Sequence, residues 1–213
     1  MRMTMRALAL LLLGLLAACG RPLTEAERAL SAGIFGDTVD PAPVRVAAGF
    51  GLLPPPETVP EAARTVPLRP DPCARTAPQT ERAREFPPAF AVRDSIFLRR
   101  RDIYASETVP GWPDLARVPH VFILAHELVH VWQWQNREVT GYRPARAFAE
   151  GLRIVDPYFY RVTEERAFLQ YGYEQQAAIL EDWLCYALFD PGDPKRAMLE
   201  RILAPHFPLG RAD

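Results

Sequence analysis

Val121-Phe-Ile-Leu-Ala-His126-Glu127-Leu-Val-His130-Val-Trp-Gln-Trp-Gln135 is the stretch whose reading decides the rest of the chain. An apolar run leads into it, and an H-E-x-x-H lies at its centre, which suits a helix buried between other elements. Residues four apart share one helical face, so the imidazoles of His126 and His130 point the same way and can hold one Zn²⁺. Glu127 lies beside them as a general base able to take a proton from water that the metal acidifies. The chain has just 4 histidines, and two of them fall in this motif, so a chance match is improbable. Val129, Trp132 and Gln133 continue the motif's faces. The expected chemistry is metal-assisted hydrolysis of a peptide bond.

A catalytic zinc site needs a third protein ligand. Tyr171–Trp183, YGYEQQAAILEDW, reads as a second helix. Glu174, Ala178 and Glu181 share one of its faces. Glu174 is the expected ligand, because small Ala177 and Ala178 beside it allow close approach to the motif helix. Glu181 and Asp182 are the alternatives, either as ligands or as carboxylates that orient an imidazole. Tyr158, Tyr160, Tyr171, Tyr173 and His206 are the candidate donors to an oxyanion, and no spacing rule chooses between them.

The chain opens with a short basic segment, then Ala7–Cys19, an apolar run too short to span a bilayer, ending in Leu16-Ala-Ala-Cys19. This is the pattern of a secretory signal (residues 1–18), and its end resembles a bacterial lipobox. On that likeness Cys19 is the lipidated first residue of the mature protein. Gly20 in the next position implies the outer membrane, with the domain facing the periplasm. The expected location is thus the bacterial cell envelope, with a lipid anchor as the membrane partner. Residues 19–213 form one domain by size. A net charge of −1 leaves no basic field for nucleic acid. Arg99–Arg101 is expected to be a solvated strand end. Cys73 and Cys185 either pair, as an oxidising compartment allows, or remain two buried thiols.

Along the chain, Leu23–Leu30 reads as a helix opened by a Thr24/Glu27 capping box and stopped near Gly33 and Gly36. Val44–Ala47, Phe90–Arg93 and Ile96–Leu98 read as strands, with a further one near Ile103-Tyr104. Proline-dense Pro54–Pro88 reads as a long surface loop. The motif helix begins after Pro119. Further helices are expected at Arg143–Leu152, Thr163–Leu169, Tyr173–Phe189 and Pro194–Leu203, with Val155–Val162 irregular. The fold class is α+β: a small, mostly antiparallel N-terminal sheet and a helical half carrying the metal site.

Three pieces, PLTEAERALSAGIFGDTVDPAPVRV (Pro22–Val46), HELVHVWQWQ (His126–Gln135) and YGYEQQAAILEDW (Tyr171–Trp183), together resemble the Vgr-related protein family. These are bacterial proteins akin to a metallopeptidase-like domain found with type VI secretion and contractile-injection systems. The resemblance implies a zincin-like domain with His126, His130 and Glu174 as zinc ligands and Glu127 as general base. It also implies a protein or peptide substrate and a place among secretion-system components. The chain departs from the family in carrying a lipobox and an enlarged Pro54–Pro88 loop. Two other functions fit the same residues: a non-catalytic module of a secretion or envelope assembly, and a hydrolase of peptidoglycan amides.

Overall fold

The computed structural model describes residues 20–49, 73, 79–81, 87–99, 107–163 and 165–210. The signal segment with Cys19, the strand expected near Ile103-Tyr104 and nearly all of the Pro54–Pro88 stretch lie outside them. The fold is α+β. Four strands, β1 (Arg21–Pro22), β2 (Arg45–Ala48), β3 (Ala89–Val92) and β4 (Ser95–Leu98), form a sheet in the order β1-β2-β4-β3. The helices are α1 (Glu25–Phe35), α2 (His120–Gln135), α3 (Arg137–Thr140), α4 (Pro144–Arg153), α5 (Tyr173–Phe189) and α6 (Pro194–Leu203).

The sheet is antiparallel at both edges and parallel in its middle pair, β2 with β4. A two-residue turn, Arg93-Asp94, joins β3 to β4. Arg93 takes a left-handed φ of 56°, an uncommon state for a side chain this large. The strain is offset from outside the turn. Arg93 stacks over Trp134, whose indole N–H donates to Asp94 at 3.2 Å, while Gln135 donates to the same carboxylate at 2.8 Å. The turn is thereby tied to the end of α2.

Helix α1 begins where the sequence places it. Thr24 accepts from the Glu27 N–H, and Glu27 reaches back to the Thr24 N–H at 3.0 Å. The same carboxylate is fully buried and does more than cap. Arg21 grips it with two bonds of 2.6 and 2.7 Å, and the Thr108 N–H donates at 2.7 Å. Strand β1, helix α1 and the segment before α2 thus meet on one anion. The helix ends at Gly36, whose φ of 53° and a Pro208 carbon 2.7 Å from any added Cβ both demand glycine.

Helix α2 is buried on nearly all sides, as its apolar run anticipates, and packs against α5, β3, β4 and α1. Val121, Leu124, Leu128, Val129 and Val131 are wholly inaccessible. Each such side chain stabilises the fold by about 1.5–3 kcal/mol through burial. Helix α5 lies alongside, its close approach permitted by fully buried Ala177 and Ala178. Cys185 of α5 is joined to Cys73 by a disulfide, with Cα atoms 5.5 Å apart.

One expected helix is corrected. Of residues 163–169, only a 3₁₀ turn at Phe168–Gln170 is helical among those described. Side chains satisfy the backbone there instead: Gln170 accepts from the Ala167 N–H, and Arg166 donates to the Gln170 carbonyl while stacking on Tyr171 at 4.0 Å. Strand β1 and the short helix α3 carry too few residues to show a period.

Burial alone would raise the Glu27 carboxyl, but the Arg21 fork and the Thr24 and Thr108 amides outweigh it and hold it below its ordinary value of 4.5. Its contribution to stability is therefore complete above about pH 4.5 and is lost as acid titrates the folded carboxyl. Glu27→Gln is expected to destabilise the protein by about 3 kcal/mol at pH 7. Denaturant melts of the two proteins at falling pH should then show the gap narrowing below pH 4.5.

Candidate metal centre

The motif places His126, Glu127 and His130 on α2, each less than a tenth exposed. Glu174 comes from the first turn of α5. Its Oε2 lies 3.2 Å from His126 Nε2 and 3.4 Å from His130 Nε2. Four donors around a zinc ion at 2.0–2.1 Å lie about 3.3 Å apart along each tetrahedral edge, so these two separations fit a common cation. Among the described residues, this trio forms the cluster of metal-ligating atoms that converge within 4.8 Å of one another. Glu181, two turns along α5, accepts from His126 Nδ1 at 3.2 Å and leaves that ring's Nε2 for a ligand. Asp182 turns elsewhere: Tyr160 donates its hydroxyl to it at 2.7 Å. Of the three acids considered, Glu174 is the one placed with both imidazoles, and Glu181 orients one of them.

The electrostatics describe a well for positive charge. Burial pulls His126 down, but hydrogen bonds to Glu174 and Glu181 and the nearby carboxylates carry its imidazole up to about 10. His130 is likewise raised, burial being outweighed by the Glu174 carboxylate. Burial would push Glu174 up, yet the two imidazoles hold it far below the ordinary carboxylate range. Glu127 is pushed to about 6 by burial, with the imidazoles opposing. Its Oε2 is buried without a hydrogen-bond partner. An orphaned buried carboxylate oxygen is costly and therefore rare. The residue itself lines a cleft of ≈ 200 Å³ together with Ile123, His126, Tyr158 and Glu181.

The expected oxyanion donors separate once their hydroxyls are traced. Tyr160 is engaged with Asp182, Tyr171 donates to the Arg161 carbonyl at 3.2 Å, and Tyr173 donates to the Gly141 carbonyl at 2.8 Å. His206 sits among Trp132, Phe168 and Phe207 instead of at the site. Tyr158 lines the cleft, its ring 5.7 Å from that of His126. Tyr142 is a tyrosine that sequence reasoning missed. Gly141 in the left-handed conformation ends α3 and turns the chain so that Tyr142 packs edge-on against Tyr173. Burial, then the charges of Glu174 and Glu127, push its phenol up to about 12. No local pattern marks it; only the left-handed turn at Gly141 hints that the next residue changes direction.

No family model matches the chain. Over 173 residues it is 27% identical to the type VI secretion system spike protein VgrG2b of Pseudomonas aeruginosa, a match covering 78% of this chain. The chain is related to a stretch of VgrG2b. It spans 13% of that relative's length. The solved effector domain of P. aeruginosa VgrG2b is 25% identical, with a TM-score of 0.49, covering 89% of this chain and 85% of that one.

If the trio holds a divalent cation, protons must leave first, because His126 keeps its proton up to about 10 when no metal competes. Zinc affinity should therefore rise with pH through the neutral range. Titration calorimetry in buffers of different ionisation enthalpy is expected to register proton release on zinc uptake. His126→Ala should abolish that uptake.

Proposed function

We propose that the chain is a zinc-dependent peptidase of the bacterial envelope, allied to type VI secretion. The observation that carries the reading is the pairing of two features. Three donors from two helices meet at zinc-ligand separations, and next to them a buried carboxylate is left without a partner at the wall of a cleft. Sequence relationship to VgrG2b supports the secretion association.

His126, His130 and Glu174 would hold the metal, with Glu181 fixing the His126 ring. Zinc in such a site supplies a Lewis acid that polarises a carbonyl and makes water nucleophilic near neutral pH. Glu127 takes one proton from the attacking water as its oxygen bonds to the carbonyl carbon. It delivers that proton to the departing nitrogen as the C–N bond breaks. Burial raises the Glu127 carboxyl above its ordinary value, towards the strength that a base returning its proton needs. The role of steadying the oxyanion is assigned to Tyr158, which lines the cleft, with Tyr142, whose phenol feels the charges of Glu174 and Glu127, as the second candidate.

A peptide is favoured as substrate by the sheet. Among the described residues β3 is at the edge of the sheet, and its Ala89 lines the cleft together with Pro87 and Pro88. An extended chain laid along that edge can pair with the strand's backbone while its own carbonyl reaches the metal side. Anchoring through Cys19 would place the domain in an oxidising compartment, with which the Cys73–Cys185 bridge accords. Among the described residues no helix is long and apolar enough to cross a membrane.

Glu127→Gln should retain zinc and lose hydrolysis of a denatured protein substrate by at least 10²-fold. Full activity in that variant would refute the mechanism. Cleavage of peptidoglycan fragments in place of protein would move the site to amide hydrolysis of the cell wall, and zinc binding with no turnover of either would favour the non-catalytic module. Separately, Cys19→Ser should abolish incorporation of radiolabelled palmitate and release the protein from the membrane fraction.

A further inference from the structure

Behind His130, on the side away from the cleft, lies a chain of amides whose direction can be read without seeing a hydrogen atom. Gln176, 1% exposed, sets its Nε2 2.8 Å from the Tyr171 carbonyl, which can only accept. Its Oε1 must then be the acceptor facing Gln133, whose Nε2 lies 2.9 Å away. Gln133, wholly buried, places the same Nε2 3.0 Å from the Tyr173 carbonyl. Both its amide hydrogens are therefore spent on acceptors, and its Oε1 is left facing His130 Nδ1 at 2.9 Å. Turning the Gln133 amide over would set its oxygen against two other oxygens. The sole arrangement with every contact satisfied puts a proton on Nδ1 of His130.

We infer that Gln133 and Gln176 are positioning residues that lock His130 as its Nδ1–H tautomer, so that its Nε2 lone pair is always presented to the cation beside Glu174. The inference rests on the metal-centre reading and deepens it. The relay ends on carbonyls of residues 171 and 173 and passes through residue 176, so it brackets Glu174 along α5. One hydrogen-bonded chain thus sets both the ring's protonation and its distance from the third ligand. His126 is held by a carboxylate, Glu181, partly open to the cleft, whereas His130 is held by neutral amides sealed in the core.

The test compares wild type with Gln133→Met, close in shape but without an acceptor at Nδ1, and Gln176→Met, which removes only the outer link. Zinc dissociation constants are measured by chelator competition on folded protein. Gln133→Met is expected to weaken zinc by about 10–100-fold and Gln176→Met by less. In Co²⁺-loaded protein, the exchangeable Nδ1–H resonance of His130 should disappear in Gln133→Met while that of His126 persists. Leu203→Ala, a core truncation on α6, should lower thermal stability without moving either readout, which separates positioning from general loosening. Should Gln133→Met not fold, Gln176→Met must still weaken zinc and broaden the His130 resonance alone. Wild-type affinity and resonances in a folded Gln133→Met, or in Gln176→Met where Gln133→Met does not fold, would overturn the relay and leave the metal centre standing. A wild type that binds no zinc would overturn both.

Discussion

The structure depends on the contact between α2 and α5. Helix α2 puts two imidazoles and a carboxylate into a region from which water is nearly excluded, and groups buried in that way are costly unless they are met by partners. Apart from Gln133, which belongs to α2 itself, the partners come from α5 or from the loop that leads into it. Glu174 faces both rings, Glu181 faces one, and Gln176 with the carbonyls of Tyr171 and Tyr173 closes the back of the other through Gln133. Fully buried Ala177 and Ala178 leave the two helices free to come this near. One oxygen is left out of this pairing, Glu127 Oε2, on a residue that lines the cleft. A fold that satisfies its neighbours and orphans that oxygen reads as a site kept open for something that brings a hydrogen.

The close of α2 explains why the site holds its geometry. Five successive side chains there leave in five directions. Trp132 enters the aromatic cluster with Phe168 and Phe207, Gln133 enters the relay, and Trp134 is clamped between Arg93 and Arg137. Gln135 bridges Asp40 and Asp94, and Asn136 donates to the Thr38 carbonyl at 2.8 Å. A helix pinned around its whole circumference cannot rotate about its axis. Rotation is the motion that would swing the imidazoles off Glu174. The apolar run before the motif fixes how deep the helix sits, and the residues after it fix its phase.

That division also explains what could be read from the residues alone. The i, i+4 pairing of His126 and His130 is a property of any helix, and the Thr24/Glu27 capping box is a property of four consecutive residues, so both were legible locally. Glu174 was legible by chemistry, being a carboxylate next to small residues on a helix of the right length. The parallel pairing of β2 with β4 was not, because the intervening chain and not the strands' own pattern sets the direction. Nor was Tyr142, delivered by one left-handed glycine, nor the burial of Glu27, whose Thr108 partner is 81 residues away. The helix expected at 163–169 failed for the opposite reason: its propensities were sound, but Arg166 and Gln170 satisfied the backbone more cheaply in a single 3₁₀ turn.

The two imidazoles are held in unlike ways, and the difference has a physical sense. A carboxylate behind a ligand ring strengthens that ring as a donor by letting it share positive charge, while a neutral amide fixes orientation and adds no charge. With Glu174 facing both rings, Glu127 beside them and Glu181 behind His126, three carboxylates already surround the place proposed for a divalent cation. A fourth behind His130 would have to be buried wholly, since Gln133 is inaccessible to water. It would also press on Glu127, the carboxylate proposed to exchange a proton, which burial already raises. The sealed side of the site therefore uses glutamine, and the charged support is confined to the side the cleft can solvate.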